Sequence, residues 1–148
     1  MQTGIDQGAS LVVDGRNLKI QGYEDGFFVG AHLFDNVTTD MDIYKKEIFG
    51  PVLSTVRAKN YEEAIGMALS HEYGNGTSIF TRDGDAARDF ANRINIGMVG
   101  INVPIPVPLA YHTFGGWKKS MFGDLNQHGV DSFKFYTRTK TVTSRWPS

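Results

Sequence analysis

Short apolar runs, punctuated by Gly and Asp, dominate the first third of the chain. Leu11-Val12-Val13 closes on Asp14-Gly15, and turn signals at Gly22 and Asp25-Gly26 lead into FFVGAHLFDNV at 27–37. Runs of this kind read as strands. Thr39 has the chemistry of an N-cap, with Asp40 and Asp42 in the first turn and Lys45 and Lys46 near the end, as the helix dipole favours. The pattern predicts a short helix that delivers the chain to Glu47. PVLSTVRAK at 51–59 reads as a strand with Val52, Ser54 and Val56 on one face. In NYEEAIGMALSHEYG at 60–74, Tyr61, Ala64, Ile65, Ala68 and Leu69 recur at helical spacing, with Asn60 as cap, Glu63 at the reciprocal position and Gly74 as C-terminal cap. GTSIFTRD at 76–83 is a further strand. The next helix buries Ala87, Phe90, Ala91 and Ile94 and is closed by Gly97, and MVGINV at 98–103 is again a strand. The expected set is strands near 52–58, 77–81 and 98–103 with helices over 61–72 and 84–95. That β-α-β-α-β order favours parallel pairing and an α/β fold.

The pattern breaks at residue 103. VPIPVPLAYHTFGGWKKSMFGD carries three of the five prolines and three glycines, so it cannot be regular throughout. Its aromatics, Tyr111, Phe114, Trp117 and Phe122, speak for an ordered functional loop rather than disorder. The end alternates again. From Phe133, Thr137, Thr139, Thr141 and Thr143 share one side, and Tyr136, Arg138, Lys140 and Val142 the other. This predicts a long strand with no strongly apolar face. Two readings stay open for it: pairing with another subunit, or a solvated edge guarded by Arg138 and Lys140.

Composition narrows the classes. A chain of 148 residues holds one domain with a real core, and a net charge of -1 gives no footprint for nucleic acid or an anionic membrane. No apolar run is long enough to span a membrane, and MQTGIDQGAS lacks the regions of a signal peptide. A cytoplasmic location is expected, or a mitochondrial one in a eukaryote. The four histidines, His32, His71, His112 and His128, form no metal-binding pair at helical spacing, so no metal site is expected and each is read as solvated or hydrogen-bonded. There is no cysteine, which excludes disulfides, thiolate-bound zinc and thiol catalysis within these residues. GGWKKS has the wrong spacing for a phosphate loop, and no G-x-G-x-x-G opens a helix after a strand.

One turn stands apart. KKEIFGPVLS at 45–54 places Glu47 and Phe49 just ahead of a Gly50-Pro51 corner. On residues alone it is either a loop with a surface charge and a core plug, or a platform for a ligand.

KEIFGPVLS resembles the E-x-F-G-P turn of NAD(P)-dependent aldehyde dehydrogenases. DGFFVGAHLFDNV, YGNGTSIFTRD, GMVGIN and FGGWKKS resemble further elements of that family, in the family's order. The loop from Asn102 and the tail FYTRTKTVTSRW are similar to its CoA-acylating, methylmalonate-semialdehyde branch. The resemblance implies that residues 1–132 correspond to the C-terminal part of the parallel-sheet catalytic domain and 133–148 to an oligomerisation strand and tail. It implies that Glu47 binds the ribose beside the nicotinamide of NAD and that Phe49 packs on the nicotinamide ring. Phe114 would line the substrate tunnel, with Pro106 and Pro108 shaping it. The family's thiolate nucleophile, general-base glutamate and Rossmann half have no counterpart here, so no catalytic residue is assigned. Two readings follow: part of a semialdehyde dehydrogenase that uses CoA as co-substrate, incompetent alone and homo-oligomeric through 133–145, or a non-catalytic assembly domain derived from such an enzyme.

Overall fold

The computed structural model describes all of residues 1–148, which divide into two compact units, Met1–Met67 and Ala68–Ser148. The first unit contains α1 (Gln2–Asp6), β1 (Ser10–Val13), β2 (His32–Val37), α2 (Asp42–Lys45), β3 (Val52–Val56) and the start of α3 (Tyr61–Ser70). β2 is the central strand, antiparallel to β1 and parallel to β3. Strict alternation along β2 would send His32, Phe34 and Asn36 inward. Instead Asn36 takes a left-handed φ of 54°, the ladder shifts register between Phe34 and Val37, and Val37 turns into the core. A bulge at an asparagine thus keeps a polar amide out and a valine in. The core is Ala9, Phe34, Val37, Met41 and Ile43, with Ile5, Leu11, Ile48 and Val52 packed around it.

α2 starts later than the capping chemistry of Thr39 suggests. Its N-cap is Met41, which offers no side-chain cap; the orphan amide of Asp42 donates to Gln7 Oε1 at 2.8 Å instead. At α3, Asn60 Oδ1 accepts from the Glu63 amide at 2.9 Å, as expected of a cap. Only Ile65 of its anticipated apolar face is fully buried, and Ala64 and Leu69 stay exposed.

The second unit contains the end of α3, then β4 (Tyr73–Gly74), β5 (Gly76–Ile79), α4 (Gly84–Arg93), β6 (Met98–Ile101), β7 (Trp117–Lys118) and α5 (Asp131–Tyr136). β5 and β6 run parallel, joined through α4. Asp83 caps α4 by accepting from the amides of Asp85 and Ala86, and the helix buries Ala87 and Phe90, with Ile94 buried just beyond its last turn; Ala91 is exposed. The expected β-α-β-α-β run is therefore realised as two separate parallel pairs. β2 takes β3 as its neighbour, and β5 pairs with β6. Gly74, expected to cap α3, lies beyond its end and pairs with Trp117 in the antiparallel β4–β7 ladder.

The anticipated strand from Phe133 is not formed. Phe133–Tyr136 belong to α5, and 137–148 adopt neither helix nor strand and are exposed. An alternating segment becomes a strand only when another strand supplies its hydrogen-bond partners. None within the chain does, and local bonds win: the Ser132 and Thr137 hydroxyls donate to the carbonyls of Gly129 and Phe133. No helix is long and apolar enough to cross a membrane.

Candidate functional site

The turn at 46–52 is built by alternation. α2 ends at Lys45 and Lys46 is already extended, so successive side chains point to opposite sides. Ile48 packs against the core of the first unit. Its neighbours Glu47 and Phe49 consequently face out, and Phe49 is 97% exposed. Two tight bonds fold the corner: the Gly50 amide donates to Ile48 O at 2.7 Å and the Val52 amide to Gly50 O at 2.8 Å. These are consecutive three-residue turns centred on Phe49 and Pro51. The corner is tied to β2 where the His32 amide donates to Pro51 O at 2.8 Å. Within this chain the Phe49 ring plugs no core: it stands in solvent beside a carboxylate. The pair offers an apolar face and an acceptor, which fits a planar ring carrying a vicinal diol next to it.

Behind the corner lies a histidine that sequence patterning did not single out. His32 is 2% exposed and neither ring nitrogen has a hydrogen-bond partner, against the expectation of a solvated or bonded ring. The closest charged atom is Asp14 Oδ1, 3.6 Å from Nε2. Asp14 is itself gripped by Arg16, whose side chain and amide both donate to its carboxylate. Those bonds lower the Asp14 pKa from 3.8 to about 2.

In the second unit, the 97–128 region forms two adjoining clefts. One, of about 490 Å³, is lined by Phe114, Gly115, Met121, Phe122 and His128 among others. The other, of about 450 Å³, is lined by β5 residues together with Ile105 and Pro106. They share Asn75, Met98 and Val107. Phe114 lines the first of these clefts and stacks on the His128 ring with centroids 4.6 Å apart at 15°. Pro106 closes over the glycines of the β5–β6 pair: a Cβ on Gly100 would lie 3.2 Å from Pro106 Cβ. Pro108 is half-buried and lines neither cleft. Thr113 donates to His128 O at 3.3 Å and the His112 ring lies 4.3 Å from that of Tyr111, so both serve the loop itself.

FGGWKKS is a fastening device in this unit. A Cβ on Gly97 would lie 2.0 Å from Gly115 O, and one on Gly115 would lie 2.1 Å from Asn126 Oδ1. Only glycine allows this backbone contact. Ser120 Oγ accepts from the Gly74 amide at 3.0 Å. Lys118 Nζ donates to the carbonyls of Ala68, Leu69 and His71 at 3.2, 3.0 and 2.9 Å, capping the end of α3. The rejected phosphate-loop lysine is therefore a helix cap, a role that needs the fold to be seen.

The chain is similar to proteins of known name and to solved structures. The model of the aldehyde dehydrogenase family matches residues 1–142. Malonate-semialdehyde dehydrogenase of Pseudomonas aeruginosa is 60% identical over 147 residues, which is 99% of this chain and 30% of that protein. The enzyme of the same name from Bacillus subtilis strain 168 is 49% identical over 148 residues, again 30% of its length. Among solved structures, the methylmalonate-semialdehyde dehydrogenase of Oceanimonas doudoroffii superposes with a TM-score of 0.90 at 58% identity, covering 99% of this chain and 30% of that one. A mutant of aldehyde dehydrogenase C from Pseudomonas syringae, solved with NAD+ and octanal, superposes with a TM-score of 0.80 at 37% identity over 94% of this chain and 28% of that one. The chain spans about 30% of the length of the curated relatives it matches.

Proposed function

This chain belongs to the aldehyde dehydrogenase family, and from that premise we propose that it is part of an NAD-dependent (methyl)malonate-semialdehyde dehydrogenase, which oxidises a semialdehyde to an acyl-CoA in the intact enzyme. The observation that carries the reading is the turn at 47–49, where an anchored Ile48 presents an exposed Glu47 and Phe49 side by side. NAD, when bound, supplies the hydride acceptor. The chain's own part is to hold its reacting end: the Glu47 carboxylate accepts from the ribose hydroxyls and the Phe49 ring covers one face of the nicotinamide. Phe114 and Pro106 shape the substrate side, and the similarity to enzymes named for malonate semialdehyde supports a short, acidic aldehyde. With no cysteine among its 148 residues, the isolated chain cannot form the thiohemiacetal from which hydride leaves, and is inactive alone. Assembly as a homo-oligomer through 133–145 belongs to the same reading, since 137–148 is exposed and pairs with no strand in the single chain.

The test uses the full-length parent enzyme with malonate semialdehyde, CoA and NAD, following NADH and acyl-CoA. Glu47→Gln is expected to lower kcat by about 100-fold through misplacement of the nicotinamide, with the KM for NAD little changed. A raised KM at unchanged kcat overturns the positioning role. Release of free acid in place of acyl-CoA overturns the CoA-acylating assignment.

A further inference from the structure

We infer that His32 is a positioning residue for the turn that carries Glu47 and Phe49, acting as the link between that turn and Asp14. The inference rests on the cofactor-facing reading of the turn. A buried imidazole without partners is costly, and a valine or isoleucine at the start of β2 would fill the space at lower cost. The ring's surroundings explain why a polar group stands there. Asp14 is fixed from outside by Arg16, whose Nη1 is anchored in turn to Gln2 Oε1 at 3.2 Å. Its backbone is fixed by a glycine crossing: the Gly30 amide donates to Gly15 O at 2.8 Å, and a Cβ on Gly15 would lie 2.3 Å from the Gly30 carbonyl carbon. The carboxylate therefore sits on a rigid support, 3.6 Å from His32 Nε2. On the other side, the His32 backbone holds Pro51 O and pairs with Val52. One residue thus joins a fixed carboxylate to the corner that aims Glu47 and Phe49.

No other charge competes for the ring. β1 (SLVV) and β3 (VLSTV) carry none, Asp35 of β2 is engaged by Arg57, and Glu47 is exposed. A shift of about half an ångström brings Asp14 within hydrogen-bond reach of Nε2. Such a shift acts on Pro51 through the same residue.

Amide hydrogen exchange on the 148-residue chain, read residue by residue by NMR, tests this without any dinucleotide. Failure here is therefore distinct from failure of NAD to use Glu47. In Asp14→Ala, exchange at His32, Gly50 and Val52 is expected to rise about tenfold, with Ala9 in the same unit and Asn102 in the other unchanged. Asp14→Asn, which keeps an acceptor oxygen at that place, is expected to restore slow exchange. His32→Phe, which fills the volume without polar atoms, is expected to match Asp14→Ala. A uniform rise that includes Ala9 makes His32 a core filler and overturns the proposal. So does an unchanged turn in Asp14→Ala, or an equal loss in the Ala and Asn variants.

Discussion

Removing the Lys118 side chain tests how the FGGWKKS loop holds its unit together. Lys118 Nζ serves three carbonyls at the end of α3, at 2.9 to 3.2 Å, and its backbone has a left-handed φ of 53°. Hydrogen bonds from a charged donor contribute about 1.5–3 kcal/mol when singly deleted, and a cation at a helix C-terminus adds about 0.3–1 kcal/mol. Three bonds sharing one partly exposed ammonium do not sum fully, so Lys118→Ala is expected to lose about 2–3 kcal/mol. Lys118→Gly loses the same bonds but relieves a backbone conformation that costs an L-residue about 1 kcal/mol. The glycine variant is therefore expected to be more stable than the alanine variant, by about that amount. Urea unfolding followed by fluorescence of the adjacent Trp117 measures both. Stability of Lys118→Ala within 0.5 kcal/mol of the parent chain would refute the cap, as would Lys118→Gly falling below Lys118→Ala for the strain.

Two further outcomes follow from the same geometry. Because its bonds to Arg16 lower the Asp14 pKa from 3.8 to about 2, this carboxylate contributes stability in full above about pH 4, and the contribution is lost as pH falls toward 2; acid titrations of Asp14→Asn should show a shallower loss across that window, and an identical acid limb would exclude the contribution. Gly97→Ala would put a methyl 2.0 Å from Gly115 O; a loss of about 1–3 kcal/mol is expected, with displaced NMR resonances at Phe114 to Gly116, and an unperturbed loop would show that the contact relaxes freely.

The local elements were legible along the chain because they rest on local physics. Asn60 caps the helix that follows it, and Ala87 and Phe90 recur at the spacing that buries one helical face. The turn at 47–51 was legible as a Gly-Pro corner, but which of its side chains faces in was decided by the structure, where Ile48 packs on the core and Phe49 stands in solvent. Family motifs then attached a chemistry to that turn which spacing alone left open. Tertiary structure decided whatever depends on residues far apart. Gln7 supplies the cap that Thr39 was expected to supply, and β2 claims β3, splitting the parallel strands into two sheets. Lys118 becomes a helix cap only when β4 and β7 pair, and His32 faces Asp14 only because Gly15 and Gly30 cross backbone to backbone. The tail shows the difference most clearly. Its alternation from Phe133 encodes a capacity to pair, but a strand requires a second strand, and within this chain local bonds fold 131–136 into a helix and leave the rest unpaired.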